Sequence, residues 1–121
     1  MKYGLDISQK VRIGGSLFIN HPYCIAINDS CVIGKNVNIT KGVTIGATQR
    51  GKRKGVPTIG NQVWIGANAA IVGAVSVGDD VLIAPNAYVN VDVPPHSIVL
   101  GNPGRIIPRE NAVESYINHL V

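Results

Sequence analysis

The sequence predicts an all-β fold in which short parallel strands wind into a solenoid. Two observations predict it: an aliphatic residue returns at every sixth position over most of the chain, and turn-forming residues fill the positions between. A helix would repeat its apolar positions about every 3.6 residues and a half-buried strand about every two, so this period fits neither alone. Six-residue units, each with one short strand and one corner, are typical of a β-solenoid.

The aliphatic period has three phases. They comprise Ile7, Ile13, Ile19 and Ile25, then Ile27, Ile33, Ile39 and Ile45, then Ile59, Ile65, Ile71, Val77, Ile83 and Val89. Gly at the second position of a unit, and Asn, Asp or Gly at the fourth, tolerate the left-handed backbone conformation that a sharp corner needs. Three units make one triangular coil, and coils stack about 4.8 Å apart. We therefore expect between four and five coils.

Two interruptions separate the phases. A slip of two residues encloses Asn20, His21, Pro22 and Tyr23, and a longer insertion runs over residues 46–58. In a solenoid, insertions fall at corners and gather on one face, which is often the binding face. We therefore expect His21 and the long loop to mark a functional site on one face.

The C-terminal residues 108–121 are expected to form a helix outside the solenoid domain, which occupies residues 1–107. Pro108 suits the first turn of a helix. The apolar positions that follow have the spacing of one helix face: Val113, Tyr116, Ile117 and Leu120. The sequence predicts that this helix packs on the solenoid or on a neighbouring subunit.

A local cluster of cations carries the excess positive charge. Arg50, Lys52, Arg53 and Lys54 are four of the eleven basic residues, and without them seven basic residues face seven acidic ones. A cluster of this kind indicates a local anionic partner. Nucleic acid is not expected, because no aromatic residues are interleaved with these cations.

Length and composition predict one domain in the cytoplasm. A chain of 121 residues is one domain, and no apolar run reaches the roughly 18 residues of a membrane span. The first residues lack the apolar core of a signal peptide, so Cys24 and Cys31 are expected to be free thiols.

Four sequence stretches resemble a known family. They are GLDI at 4–7, LFINHPYCIAI at 17–27, GVTIGAT at 42–48 and VPPHSIVLGNPGRII at 93–107. With the repeats between them, they resemble the hexapeptide-repeat acyltransferases, and within these the serine acetyltransferases and their sugar-modifying relatives. The resemblance implies a left-handed parallel β-helix, a homotrimer, and acetyl-CoA bound in a groove between adjacent subunits. We expect a short form without the N-terminal helical domain of that family.

The resemblance also assigns the reacting groups. It makes His21 the catalytic base and Asp6 the residue that orients it. A neutral imidazole can take the proton of an acceptor hydroxyl near neutral pH, and a carboxylate can fix its tautomer and stabilise the imidazolium. Backbone donors at a glycine-rich corner could stabilise the oxyanion. Asn20 and Tyr23, which flank His21, are the expected acceptor contacts.

The residues that the resemblance assigns to acetyl-CoA fall at three places. Those along the pantetheine arm are Gly46, Ala47, Thr48, Gly66, Ala67 and Ala84. Lys54 of the basic loop and Arg105 are expected to meet the phosphates. No metal ligand is assigned.

Two departures from the family pattern concern the acceptor. Serine acetyltransferases have an aspartate where this chain has Asn20, and they carry an Asp-Arg-His-Pro motif where it reads Lys54, Gly55, Val56 and Pro57. A small zwitterion needs groups that pair with its carboxylate and its ammonium. We therefore expect a different acceptor hydroxyl, on a sugar or a growing polysaccharide.

Three alternatives stay open. One is a serine O-acetyltransferase of cysteine biosynthesis with a reduced acceptor site. Another is a zinc enzyme similar to γ-carbonic anhydrase, which needs three converging histidines, whereas His21, His96 and His119 lie on different features. The last is a non-catalytic scaffold.

Overall fold

The chain folds as a left-handed parallel β-helix, which confirms the predicted all-β solenoid. The structure is a computed structural model and describes residues 6–7 and 10–116. The strands of the first two coils are β1 (Asp6–Ile7), β2 (Arg12–Ile13), β3 (Leu17–Asn20), β4 (Ala26–Ile27), β5 (Val32–Ile33) and β6 (Val37–Thr40). Those of the next two are β7 (Thr44–Gly46), β8 (Thr58–Ile59), β9 (Val63–Ile65), β10 (Ala70–Val72), β11 (Ser76–Val77) and β12 (Val81–Ile83). The last are β13 (Tyr88–Val89), β14 (Ser97–Leu100) and β15 (Arg105–Pro108).

Three sheets form the sides of a prism. Sheet A contains β1, β4, β7, β10 and β13, sheet B contains β2, β5, β8 and β11, and sheet C contains β3, β6, β9, β12 and β14 with β15 at its end. Equivalent strands of successive coils pair in parallel, so that Ile39, Ile65 and Ile83 stack in one ladder and are fully buried. Such ladders of Ile and Val are the core that the six-residue period predicts.

The corners have the backbone conformation that the fourth position of a unit predicts. Left-handed φ angles recur there at Asn36, Gln62, Asp80 and His96 between sheets B and C, and at Cys24, Gly42, Asn68 and Asn86 between sheets C and A. Glycine is also needed for close approach between coils: a Cβ atom at Gly66 would lie 2.6 Å from the backbone nitrogen of Pro85.

The two interruptions lie at different corners, contrary to the expectation of one face. Residues 21–25 join sheet C to sheet A, whereas residues 47–57 join sheet A to sheet B. All strands of sheet A run in the same direction, so the two insertions lie at opposite ends of its strands. The physical reason is that every corner of the prism can lengthen without disturbing the strand ladders.

The predicted C-terminal helix is wrong for residues 108–116. Pro108 ends β15, which pairs antiparallel with β14 and closes that end of sheet C. Residues 110–116 form successive turns, with Glu114 donating to the Asn111 carbonyl and Tyr116 to that of Val113. Asn111 has a left-handed φ of 55°, which a right-handed helix excludes. Ile117 and Leu120 of the predicted apolar face, like His119, lie outside the described residues.

Candidate functional site

The corner between sheets C and A carries His21 and is called the histidine edge here. It comprises residues 20–25, 41–42, 66–68, 84–86 and 101–104. His21 has a left-handed φ of 54° and an exposed side chain, and its carbonyl accepts a hydrogen bond from the Tyr23 amide at 2.7 Å. The Tyr23 carbonyl in turn accepts from the Gly42 amide at 2.8 Å, which ties the insertion to the next coil. Asn20 and Tyr23 are exposed on the same corner.

Asp6 lies at the start of sheet A, beside this corner. Its amide donates to the Ile25 carbonyl at 2.8 Å, and its register partner is Ala26, the first strand residue after the His21 insertion. The Asp6 side chain is exposed. Among the described residues, no hydrogen bond joins Asp6 to His21. The fold thus brings the two residues to one end of sheet A on neighbouring coils.

Four further residues of the predicted site lie higher on the histidine edge. Gly66 and Ala67 form the corner between the third and fourth coils, Ala84 lies in the next corner, and Arg105 begins β15 just after the last. Three strand spacings, about 14 Å, separate the His21 corner from the Ala84 corner. The edge therefore offers an extended track parallel to the solenoid axis.

The corner between sheets A and B carries the basic insertion and is called the loop edge. It comprises residues 28–31, 46–57, 73–75 and 90–92. Gly46 ends β7 and Ala47 follows it, and Thr48 pairs with Gly55 through two backbone hydrogen bonds of 2.9 Å that close the neck of the loop. Of the predicted cofactor contacts, Gly46, Ala47, Thr48 and Lys54 are on this edge.

Among residues 6–7 and 10–116, one of the four clustered cations forms an ion pair. An Arg53 guanidinium nitrogen lies 3.0 Å from Asp92 Oδ1, which also accepts a 2.9 Å hydrogen bond from the Ser76 amide. The Arg53 carbonyl accepts from the Ala74 amide at 2.7 Å. Arg50, Lys52 and Lys54 are exposed. The sequence did not predict a role for Asp92, because no spacing pattern links it to Arg53, which is distant along the chain.

A groove of about 790 Å³ lies between sheet C and the C-terminal segment 109–116. Trp64 and Tyr116 lie on its walls with ring centroids 4.9 Å apart. Ala84, a predicted cofactor contact, also lines this groove. Trp64 therefore packs against the C-terminal segment of its own chain.

A buried carboxylate holds the C-terminal segment against the solenoid. Asp80, which is 7% exposed, accepts hydrogen bonds from the His96 ring at 2.7 Å and from the Val113 amide at 3.1 Å. Burial opposes ionisation of Asp80, but these hydrogen bonds outweigh it and lower the pKa of Asp80. The hydrogen bond to Asp80, followed by the charge of Glu110 at 3.5 Å, raises the pKa of His96. Asp80 and His96 occupy the left-handed position of the corner between sheets B and C on successive coils. Their equivalent positions in the repeat could have predicted this contact.

The contact between the C-terminal segment and sheet C should depend on pH. The pKa of His96 is raised above its ordinary value of 6.5 in the folded protein. Protonated His96 therefore stabilises the fold fully below pH 6.5, and this contribution is lost as the pH rises through the raised pKa. The lowered pKa of Asp80 means that its contribution is lost as the pH falls through that pKa. Trp64, the single tryptophan, reports the contact, and we expect its fluorescence to change with a midpoint above 6.5.

The control for this titration is His96→Gln, which can still hydrogen-bond but does not titrate. We expect it to remove the transition above pH 6.5 and to leave the acidic one. An unchanged upper transition in that variant would assign it to another group and contradict the prediction. The charged groups that face His96 are Asp79, Asp80 and Glu110.

The cysteines and other polar residues add no second centre of chemistry in the part of the chain that the structure describes. Cys24 is an exposed free thiol and Cys31 a buried one, and burial raises the pKa of Cys31 to about 11. Residues 6–7 and 10–116 contain no group of three His, Cys, Asp or Glu side chains that could hold a metal ion. The same residues include no helix that could cross a membrane.

The chain is similar to a family of bacterial transferases and to proteins named serine acetyltransferase. A family model described as bacterial transferase hexapeptide (six repeats) matches residues 57–91. A serine acetyltransferase of Helicobacter pylori is 41% identical over 107 residues, which are 88% of this chain and 63% of that protein. The match to this relative covers much more of the chain than the match to the family model does.

Two solved structures share the fold. Soybean serine acetyltransferase, as the apoenzyme, has a TM-score of 0.77 and 36% identity, covering 86% of this chain and 43% of that one. The Neisseria gonorrhoeae serine acetyltransferase in complex with serine has the same TM-score and identity, covering 86% and 42%. This chain spans less than two thirds of the length of each of these three proteins.

Proposed function

We propose that this chain is an acetyl-CoA-dependent O-acetyltransferase, because it is similar to the hexapeptide-repeat transferases over residues 57–91 and to serine acetyltransferases over 88% of its length. The observation that carries the proposal is the position of His21. It lies in a two-residue insertion at a corner, in a left-handed conformation, on the same end of sheet A as Asp6. The regular left-handed position of this corner is Cys24, so the left-handed His21 is an addition made by the insertion.

In the proposed mechanism, His21 removes the proton of the acceptor hydroxyl. The hydroxyl oxygen attacks the thioester carbonyl, and the proton passes to the imidazole as the new C–O bond forms. When the C–S bond breaks, the imidazolium returns the proton to the CoA sulfur. Asp6, on the neighbouring coil, would orient the ring and stabilise its charged form.

The heights of the charged residues along the prism support one direction for the cofactor. His21 lies between the first and second coils, whereas the basic loop leaves the third coil and reaches Asp92 on the fifth. Arg105 lies at the same upper end. We therefore propose that the phosphates of acetyl-CoA bind near the upper coils and that its thioester descends toward His21, past Gly66, Ala67 and Ala84.

The separation of the two edges supports an oligomer, which we propose is a homotrimer. Within one chain, His21 and the Gly46 turn lie at opposite ends of the strands of sheet A. A groove with both features on its walls therefore needs the histidine edge of one copy and the loop edge of another. Grooves of this kind are frequent binding sites, and closed symmetry would make all of them equivalent. The setting we propose is the cytoplasm.

For the acceptor, we propose serine. The expectation of a sugar or polysaccharide hydroxyl has no support from the relatives, which are named serine acetyltransferases, one of them solved with serine. Asn20 in place of aspartate then means that the ammonium group of serine lacks one carboxylate partner. We therefore expect a higher KM for serine than a site with that aspartate would give.

The acceptor is tested by acetyl transfer to L-serine and to a panel of hexoses and hexosamines. Thioester loss should be followed by ultraviolet absorbance, because the exposed Cys24 thiol would react with thiol reagents. We expect kcat/KM for L-serine to exceed that for every sugar by at least about tenfold, since a site that pairs a substrate's polar groups rejects analogues without them. Faster transfer to a sugar would contradict serine as acceptor, and failure to bind acetyl-CoA would revive the scaffold alternative.

A further inference from the structure

The basic loop is fastened to the solenoid at one end and exposed at the other. Its neck is closed by the Thr48–Gly55 hydrogen bonds, and residues 53–55 lie against the corner formed by residues 73–75 of the next coil. The packing there is close: a Cβ atom at Gly73 would lie 2.8 Å from the Arg53 carbonyl oxygen, and one at Gly55 would lie 3.0 Å from Ala74 Cβ.

The Arg53–Asp92 ion pair extends this attachment to a third coil. Asp92 belongs to the fifth coil, and its Oδ1 is fixed by the Ser76 amide of the fourth while it binds the guanidinium of the third-coil loop. Three successive coils therefore meet at this one carboxylate oxygen. The hydrogen bond from Ser76, followed by that from Arg53, lowers the pKa of Asp92, so the carboxylate is charged at neutral pH.

We propose that Asp92 is a positioning residue, which holds the basic loop through Arg53 so that Arg50, Lys52 and Lys54 are presented to the phosphates of acetyl-CoA. Arg53 is then a structural cation and not a phosphate ligand. The inference rests on the proposed function for the identity of the anion. A loop that is already ordered loses less conformational entropy on binding, so the anchor strengthens acetyl-CoA binding without contacting it.

Asp92→Asn tests this role because it removes the charge and leaves an oxygen for the Ser76 amide. If the only effect were the loss of a negative charge, repulsion of the anionic cofactor would weaken and its KM would fall. Loss of the Arg53–Asp92 ion pair should change the KM in the opposite direction. We expect the KM for acetyl-CoA to rise about two- to fivefold, the range of an exposed ion pair, with kcat unchanged. Tryptic cleavage between residues 50 and 54 should accelerate relative to cleavage after Lys35.

Asp29→Asn is the matched control. Asp29 is exposed on the same edge, three coils below Asp92, and makes no ion pair among the described residues. It carries the same change of charge, so it measures the long-range electrostatic effect alone. Arg53→Lys should preserve both the KM and the slow cleavage, because lysine can still pair with Asp92.

The two readouts separate this inference from the proposed function. Equal loop cleavage in Asp92→Asn and Asp29→Asn, or a KM that falls equally in both, overturns the positioning role. If the wild-type protein has no acetyltransferase activity, the proposed function is wrong and no effect on acetyl-CoA affinity is expected. The rate of loop cleavage would still report whether Asp92 anchors the loop.

Discussion

Replacing His21 by asparagine should lower kcat about 10²- to 10⁴-fold, the contribution typical of a positioned general base. Asparagine is the informative substitution because it tolerates the left-handed φ of 54° at this position but cannot take a proton at neutral pH. The KM for acetyl-CoA should change little, since the phosphates and the pantetheine arm are expected to contact other residues. Initial rates at varied acetyl-CoA and L-serine concentrations measure both parameters.

Cys24→Asn is the control for this variant. Cys24 is exposed on the same corner, also has a left-handed φ, and is equivalent in the coil to Asn68 and Asn86, which already carry asparagine. We expect full activity and unchanged or slightly higher stability. Near-normal turnover in His21→Asn would refute the role of His21, and equal losses in both variants would indicate damage to the corner.

The core of this fold follows directly from the sequence. Each six-residue unit places one aliphatic side chain inward, and the ladder through Ile39, Ile65 and Ile83 is observed as the period predicts. The left-handed corners at Asn68 and Asn86 were predictable for the same reason, because few residue types other than glycine and asparagine tolerate that backbone region.

The C-terminal segment could not be read from local pattern. The spacing of Val113 and Tyr116 suits a helix face, but Pro108, the predicted start of the helix, ends β15 and pairs with Ser97 of β14. Asp80 then binds the amide of Val113, thirty-three residues later in the chain. These are contacts between distant residues, and they override a weak local preference.

The site residues that the resemblance assigns stay predictions, and their arrangement on the solenoid could not be predicted from the sequence. The resemblance selected His21 and the Gly46 turn, and the two interruptions were expected on one face. The period shows where a corner falls but does not say which of three corners an insertion occupies, and strand pairing places these two at opposite ends of sheet A. That separation is the reason for proposing that two copies complete each site.

Mixed oligomers test that proposal most directly. Gly46→Trp is combined with His21→Asn as the second inactive variant. A Cβ atom at Gly46 has no neighbour closer than 3.7 Å, so the new side chain begins without a clash, and we expect its ring to fill the proposed groove. Homo-oligomers of His21→Asn and of Gly46→Trp should each lose at least about 10²-fold in activity. Differently tagged chains of both variants are coexpressed, and oligomers that carry both tags are purified.

If each site uses His21 of one copy and Gly46 of the next, every trimer that carries both tags has about a third of its sites intact, because one of its subunit boundaries joins an intact His21 to an intact Gly46. We therefore predict that the mixed oligomers recover roughly a third of wild-type kcat per site, with a normal KM for acetyl-CoA. Mixed oligomers that are no more active than either parent would show that both residues serve the same site from one chain. That result would contradict the central claim that catalysis takes place between copies.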